Sequence, residues 1–164
     1  MLTGLHYGPV LVGAGWLHDC PEDHPDLCPI DELADLIGCP GAERVVAIVS
    51  TVTYDRSCQS KHERYERYLT ALADNPEAMP VALADKSDNL SRTESDLRLG
   101  IPVFGADFLK LDPRKEIENW LAVAALCLNK RHHDPGVRKL CERVIMLTQS
   151  VKTILIAKNF MMPF

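Results

Sequence analysis

Eleven prolines and nine glycines divide the 164 residues into short runs, and within most runs the apolar side chains recur every three or four positions. That period is the repeat of an amphipathic α-helix, whose apolar stripe must find a core. Pro9 is placed to open a helix through Val10–Leu17 toward His18, because proline is tolerated in a first turn. Residues 21–29, with three prolines, read as a loop. Asp31 starts a short helix closed by Gly38, with Leu33, Ala34 and Ile37 on one face. Residues 62–74 form a charged amphipathic helix with Tyr65, Tyr68, Leu69 and Leu72 on one side. Asn75-Pro76 marks a new start, with Asn75 as cap. Pro80 interrupts that start, so the regular helix runs from there to Leu90. Residues 91–114 read mostly as loop. Lys115–His132 is a helix facing inward with Ile117, Trp120, Leu121, Ala124 and Leu128. Pro135 opens a last helix to Lys158, striped by Leu140, Val144, Leu147, Val151 and Ile154.

One segment is ambiguous. Arg44–Thr53 is rich in β-branched residues, which favour a strand. Its apolar set Val45, Ile48, Val49 and Val52 also fits a helical stripe. No second convincing strand exists for it to pair with, so helix is the better reading. The expected architecture is all-α, a single domain over residues 1–164.

Charge is distributed unevenly. Residues 1–43 carry eight carboxylates and no Lys or Arg, whereas residues 110–164 carry ten Lys/Arg against five Asp/Glu. A whole-surface nucleic-acid binder is basic throughout, so neither DNA nor RNA is an expected partner. The longest apolar run, Leu121–Leu128, is too short to span a bilayer. No basic region precedes the first apolar stretch, so a cytoplasmic protein without membrane contact is expected. The six cysteines contain no C-x-x-C pair and read as reduced thiols. Cys20, His24, Cys28 and Cys39 form a weaker, alternative set of zinc ligands. Pro21, Pro25 and Pro29 break any helix that would align them.

Two clusters carry chemistry. His18-Asp19-Cys20-Pro21-Glu22-Asp23 places a histidine and three carboxylates within six residues. In Leu83-Ala84-Asp85-Lys86-Ser87-Asp88-Asn89-Leu90, Asp85 and Asn89 share a helix face at i, i+4. An imidazole with two carboxylates is a mixed donor set suited to Mn²⁺, Fe²⁺ or Zn²⁺. Such an ion acidifies water, which Glu22 and Asp23 are placed to orient. Asp85, between apolar Val81, Leu83 and Leu90, needs a counter-charge that a metal supplies. The plain alternatives are a histidine at a helix C-terminus and an Asp85 paired with Lys86, Arg92 or another cation.

His18-Asp19-x-x-Glu22-Asp23, preceded by Gly-Trp-Leu and followed by Leu-Ala-Asp-Lys-x-x-Asn-Leu, resembles the HD-domain metal-dependent phosphohydrolases. The resemblance is greatest to the RelA/SpoT-type branch that hydrolyses (p)ppGpp. Glu63-Arg64-Tyr65-Glu66-Arg67-Tyr68 and Asn75-Pro76-Glu77-Ala78 also resemble that branch. The match covers residues 9–92; residues 93–164 carry no recognised motif. It implies an HD-like helical bundle with His18, Asp19 and Asp85 as ligands for a divalent ion, usually Mn²⁺. It further implies that Glu22 and Asp23 position the hydrolytic water and that Asn89 contacts the nucleotide substrate. The role of Lys86 is not assigned by it.

The chain departs from that pattern at one point. The family uses a further metal-binding histidine on a helix well upstream, but only seventeen residues precede His18 here. The sole candidate, His6, would stand about 18 Å from His18 on one continuous helix, and it reads as a plain N-terminal residue. Three accounts are open: a true start further upstream, a ligand from elsewhere such as His132 or His133, or a catalytically inactive module that binds a nucleotide or a protein. A missing first helix would leave apolar surface bare, and a homodimer would cover it. The basic C-terminal region reads as solvated helix faces, with attraction of a polyanionic nucleotide as the alternative.

Overall fold

The computed structural model describes residues 1–54, 57–100 and 113–158. Helix accounts for 78% of the structure, and no strand occurs among the described residues, so the fold is all-α. The helices are α1 (Pro9–Leu17), α2 (Cys20–Asp23), α3 (Leu33–Ile37), α4 (Ala42–Val52), α5 (Lys61–Asp74), α6 (Met79–Leu99), α7 (Pro113–Arg131) and α8 (Pro135–Ala157). Two compact units divide the chain, Met1–Ala84 and Asp85–Phe164, and the division falls inside α6. None of the described helices is long and apolar enough to cross a membrane.

In the first unit α1, α3 and α5 all pack on α4. The buried face of α4 is Ala42, Val45, Ile48, Val49 and Val52, which is the helical stripe expected of this segment. Each such side chain withdrawn from water contributes about 1.5–3 kcal/mol. That burial outweighs the small helix penalty of β-branched residues. Helix α5 begins at Ser60, whose Oγ accepts from the Glu63 N–H at 3.1 Å. The Glu63 carboxylate in turn accepts from the Gln59 N–H at 3.3 Å, a variant of the capping box. Tyr68 and Leu72 are its buried residues, and the Tyr68 ring stacks on Tyr54 with centroids 4.8 Å apart.

Several boundaries differ from the sequence expectation. Residues 21–29 are not all loop, because Pro21 enters the first turn of α2, where its missing N–H costs nothing. Helix α3 starts at Leu33 rather than Asp31, and Gly38 ends it in the left-handed region at φ 60°. Asn75 does not cap the following turn with its side chain. It reaches back instead to α4, donating to Thr51 Oγ1 at 2.9 Å. Helix α6 continues nine residues past Leu90, to Leu99. Nothing between Leu90 and Gly100 interrupts it, and the i, i+4 pairs Asp88–Arg92 and Glu94–Arg98 support its exposed side. The rest of the expected 91–114 loop, at 101–112, lies outside the described residues.

In the second unit α7 and α8 pack along each other, joined by the short link His132–Asp134. Asp134 caps α8, its Oδ1 accepting from the Gly136 and Val137 N–H groups, while Arg131 bonds its other oxygen at 2.6 Å. The inward face of α7 is rotated from the expected one. Ile117, Trp120 and Ala124 are buried as anticipated, but Val123 and Cys127 join them in place of exposed Leu121 and half-buried Leu128. On α8, Leu155 is buried and Ile154 only half-buried. Arg143 donates to Ser87 at 2.7 Å, and Ser150 and Arg98 both donate to Glu94. These bonds tie α8 to α6.

Candidate metal centre

Helix α1 has no charged residue, and it ends where His18 and Asp19 begin a change of direction. Asp19 stands at the N-cap of α2, where its carbonyl accepts from the N–H groups of Glu22 at 3.1 Å and Asp23 at 2.8 Å. The His-Asp pair is therefore held at the junction of two helices. Nδ1 of His18 lies 2.9 Å from the Gly15 carbonyl oxygen. A carbonyl can only accept, so that nitrogen carries the hydrogen and Nε2 is left as the metal-binding type of nitrogen.

Nε2 faces the Asp19 carboxylate, 3.1 Å from Oδ1. With Nδ1 already committed as a donor, a neutral imidazole brings two acceptors face to face. A proton on Nε2 or a metal ion shared by both atoms would turn that contact into an attraction.

Asp85 lies on α6, whose first turns are embedded through Met79, Val81, Ala82 and Leu83, none more than 1% exposed. One ligand atom from each of His18, Asp19 and Asp85 falls within 4.8 Å of the others. A nitrogen and two carboxylate oxygens form a donor set that fits a divalent first-row ion. No other group of three or more His, Cys, Asp or Glu side chains gathers in this way among the described residues.

Asp85 also has protein partners. Lys86 Nζ lies 2.9 Å from Oδ2, and the Asn89 side-chain amide donates to Oδ1 at 2.6 Å. The sequence places Asp85 and Asn89 on one face, and the structure brings them together. The Lys86 contact corresponds to the plain alternative for Asp85. What sequence reasoning did not single out is how deeply Lys86 sits, with a side chain only 10% exposed. Its place three residues after Leu83 and four before Leu90, on the same helix face, was the available signal.

Glu22 and Asp23 sit in α2 and do not join the three-residue group; Glu22 is half-buried and Asp23 exposed. His6 is exposed at the end of a 3₁₀ turn, with φ 60°, and is not in the group either. His132 and His133 are exposed and meet edge to face, with ring centroids 5.7 Å apart. The Cys20, His24, Cys28 and Cys39 set does not converge. All six cysteines are unbridged. Burial, and then the neighbouring Cys28 thiol, push Cys20 upward from its ordinary value. Comparison with protein-family models, curated proteins and solved structures found no match.

Proposed function

We propose that this chain is an HD-type metal-dependent phosphohydrolase acting on a nucleotide in the cytoplasm, with guanosine polyphosphate, (p)ppGpp, as the first substrate to test. The contact that carries the reading is His18 Nε2 against Asp19 Oδ1 at 3.1 Å, with Nδ1 already donating to Gly15. Asp85 adds the third ligand atom. In this reading His18, Asp19 and Asp85 hold a divalent ion, with Mn²⁺ the first candidate. The ion supplies Lewis acidity toward water and a phosphoryl oxygen.

The remaining roles belong to the chain. The Gly15 carbonyl accepts from His18 Nδ1 and fixes the ring, as a backbone carbonyl commonly does for a metal-ligating imidazole. Glu22 and Asp23, one helical turn beyond the ligand pair, orient the attacking water and take its proton. Asn89 holds Asp85 through its amide and is assigned to the nucleotide as well. Water attacks the phosphorus next to the ribose, the P–O bond to the ribose oxygen breaks, and that oxygen leaves and takes up the proton drawn from the water, while the water oxygen remains on the released pyrophosphate.

The test is pyrophosphate release from (p)ppGpp in Mn²⁺, with Glu22→Gln/Asp23→Asn as the control that keeps the ligands. Turnover by the parent chain and its loss in the double variant support the reading. Full activity in the double variant removes the role given to these carboxylates. A second reading is an HD-like module that binds a nucleotide without hydrolysing it. The observation that favours it is that the further histidine of the family pattern has no counterpart in the group, since His6 is not part of it. Mn²⁺-dependent binding of the nucleotide without turnover would select it.

A further inference from the structure

Cys20 and Cys28 stand eight residues apart, which on one continuous helix would separate them by about 12 Å along the axis. The chain does not continue as a helix. The Cys20 carbonyl accepts from the His24 N–H at 2.9 Å, and His24 then leaves helical geometry at φ −134° and ψ 58°. A second turn closes with the Cys28 N–H donating to the His24 carbonyl at 2.9 Å. The chain thereby folds back on itself, and the thiols of Cys20 and Cys28 meet and share a hydrogen bond. Pro21, Pro25 and Pro29 restrict the backbone around them, which holds the thiols together rather than leaving their encounter to chance. Side chains that converge in this way meet the first requirement of a disulfide, that the two Cβ vectors point toward each other. Both residues are only half-buried, so a small solute reaches them. Cys127 and Cys141 also neighbour each other, but they are fully buried.

We propose that Cys20 and Cys28 are a reversible thiol–disulfide pair, oxidised by a peroxide, whose bridge closes the turn carrying Glu22 and Asp23 into a covalent loop. One thiolate of the pair attacks the peroxide, the O–O bond breaks, and a sulfenic acid and hydroxide form. The second thiolate attacks the sulfenic sulfur, the S–O bond breaks and the S–S bond forms. The two hydroxides released take up the two thiol protons as water, and two electrons have passed from sulfur to the peroxide. Exchange with a dithiol reductant returns both thiols. The pair lies within the first compact unit and uses none of the three metal-ligand side chains, so it goes beyond the metal-centre reading and does not depend on it.

The test treats the reduced full chain, in chelator, with a slight excess of hydrogen peroxide, alkylates the remaining thiols and maps the peptides without reduction. Residues 1–43 contain no Lys or Arg, so cleavage at aspartate is used: Asp23 and Asp26 divide the two cysteines, and Asp31 and Asp35 set Cys39 apart. The parent is expected to lose alkylation at Cys20 and Cys28 together, to yield their two peptides joined with two hydrogens fewer, and to regain both thiols in dithiothreitol. Cys39→Ser is expected to form the same bridge, and Cys20→Ser to form none. Cys20 and Cys28 that stay alkylatable, or that pass to sulfinic acid unlinked, overturn the proposal, and these readings need no variant. A bridge made instead to Cys39, or between two chains, also overturns it. None of these outcomes touches the metal ion, whose own test is its binding.

Discussion

The Lys86 ammonium lies 2.9 Å from the Asp85 carboxylate, its immediate neighbour on the same helix, with both side chains largely withdrawn from water. Removing one member of such a pair leaves the other charge largely buried without that partner. Asp85→Ala is therefore expected to destabilise the metal-free protein, by at most the low end of the about 3–5 kcal/mol typical of fully buried pairs. Adding Lys86→Met to Asp85→Ala is expected to recover part of the loss. Urea unfolding of the two single variants and the double variant measures the coupling. Strict additivity would show that the pair is energetically idle.

His18 occupies a different position in the energetics. Its ring is tied to Gly15 at the end of α1, outside the apolar core, with a side chain 20% exposed. His18→Ala is expected to abolish Mn²⁺ binding while costing only about 1 kcal/mol, the value of an ordinary hydrogen bond. Isothermal titration with Mn²⁺, set beside thermal unfolding in chelator, separates the two effects. Undiminished Mn²⁺ affinity in the variant removes His18 from the ligand set.

Acid sensitivity should arise partly at Glu94. The Ser150 hydroxyl and then Arg98 hold its carboxyl below the ordinary value of 4.5. A carboxylate depressed in the folded state adds stability above its unfolded value and loses it as pH falls through the folded one. Glu94→Gln should therefore lower Tm at neutral pH and converge with the parent in strong acid. Measuring Tm from neutral pH downward checks this, and a constant gap across the range contradicts it.

Thiol accessibility gives an independent check on packing. Cys127 and Cys141 are fully buried between α7 and α8. Burial pushes both thiols up, Cys141 to about 11, and Cys127 further with the Cys141 thiol adding to the effect. The thiolate is the reactive form, so both should resist aromatic disulfide reagents in the native protein. Exposed Cys39 should react at once. Peptide mapping after brief labelling reads the order, and early modification of Cys141 contradicts the placement.

What could be read from the chain in advance follows from how local each determinant is. The stripe Val45, Ile48, Val49 and Val52 specifies a helix against its own β-propensity because burial, not propensity, decides. Gly38 and Gly100 end helices through their left-handed backbone, at φ 60° and 73°. The stretch from Ser91 to Leu99 was harder, since its support comes from charge pairs and from Ser150 on another helix. The rotation of α7 that buries Val123 and Cys127 depends on its fit to α8, which no periodicity within α7 encodes. At the site, the residue types were visible but the contacts were not. That Nδ1 of His18 is taken by Gly15, and that Lys86 turns inward to Asp85, depend on backbone and burial rather than on spacing.

The metal content of the purified chain tests the central claim most directly. After incubation with Mn²⁺ and removal of free ion, mass spectrometry of the metal should find close to one ion per chain, and none in Asp85→Ala or His18→Ala. A parent chain that retains no Mn²⁺, Fe²⁺ or Zn²⁺, or an ion that survives both substitutions, would contradict the account.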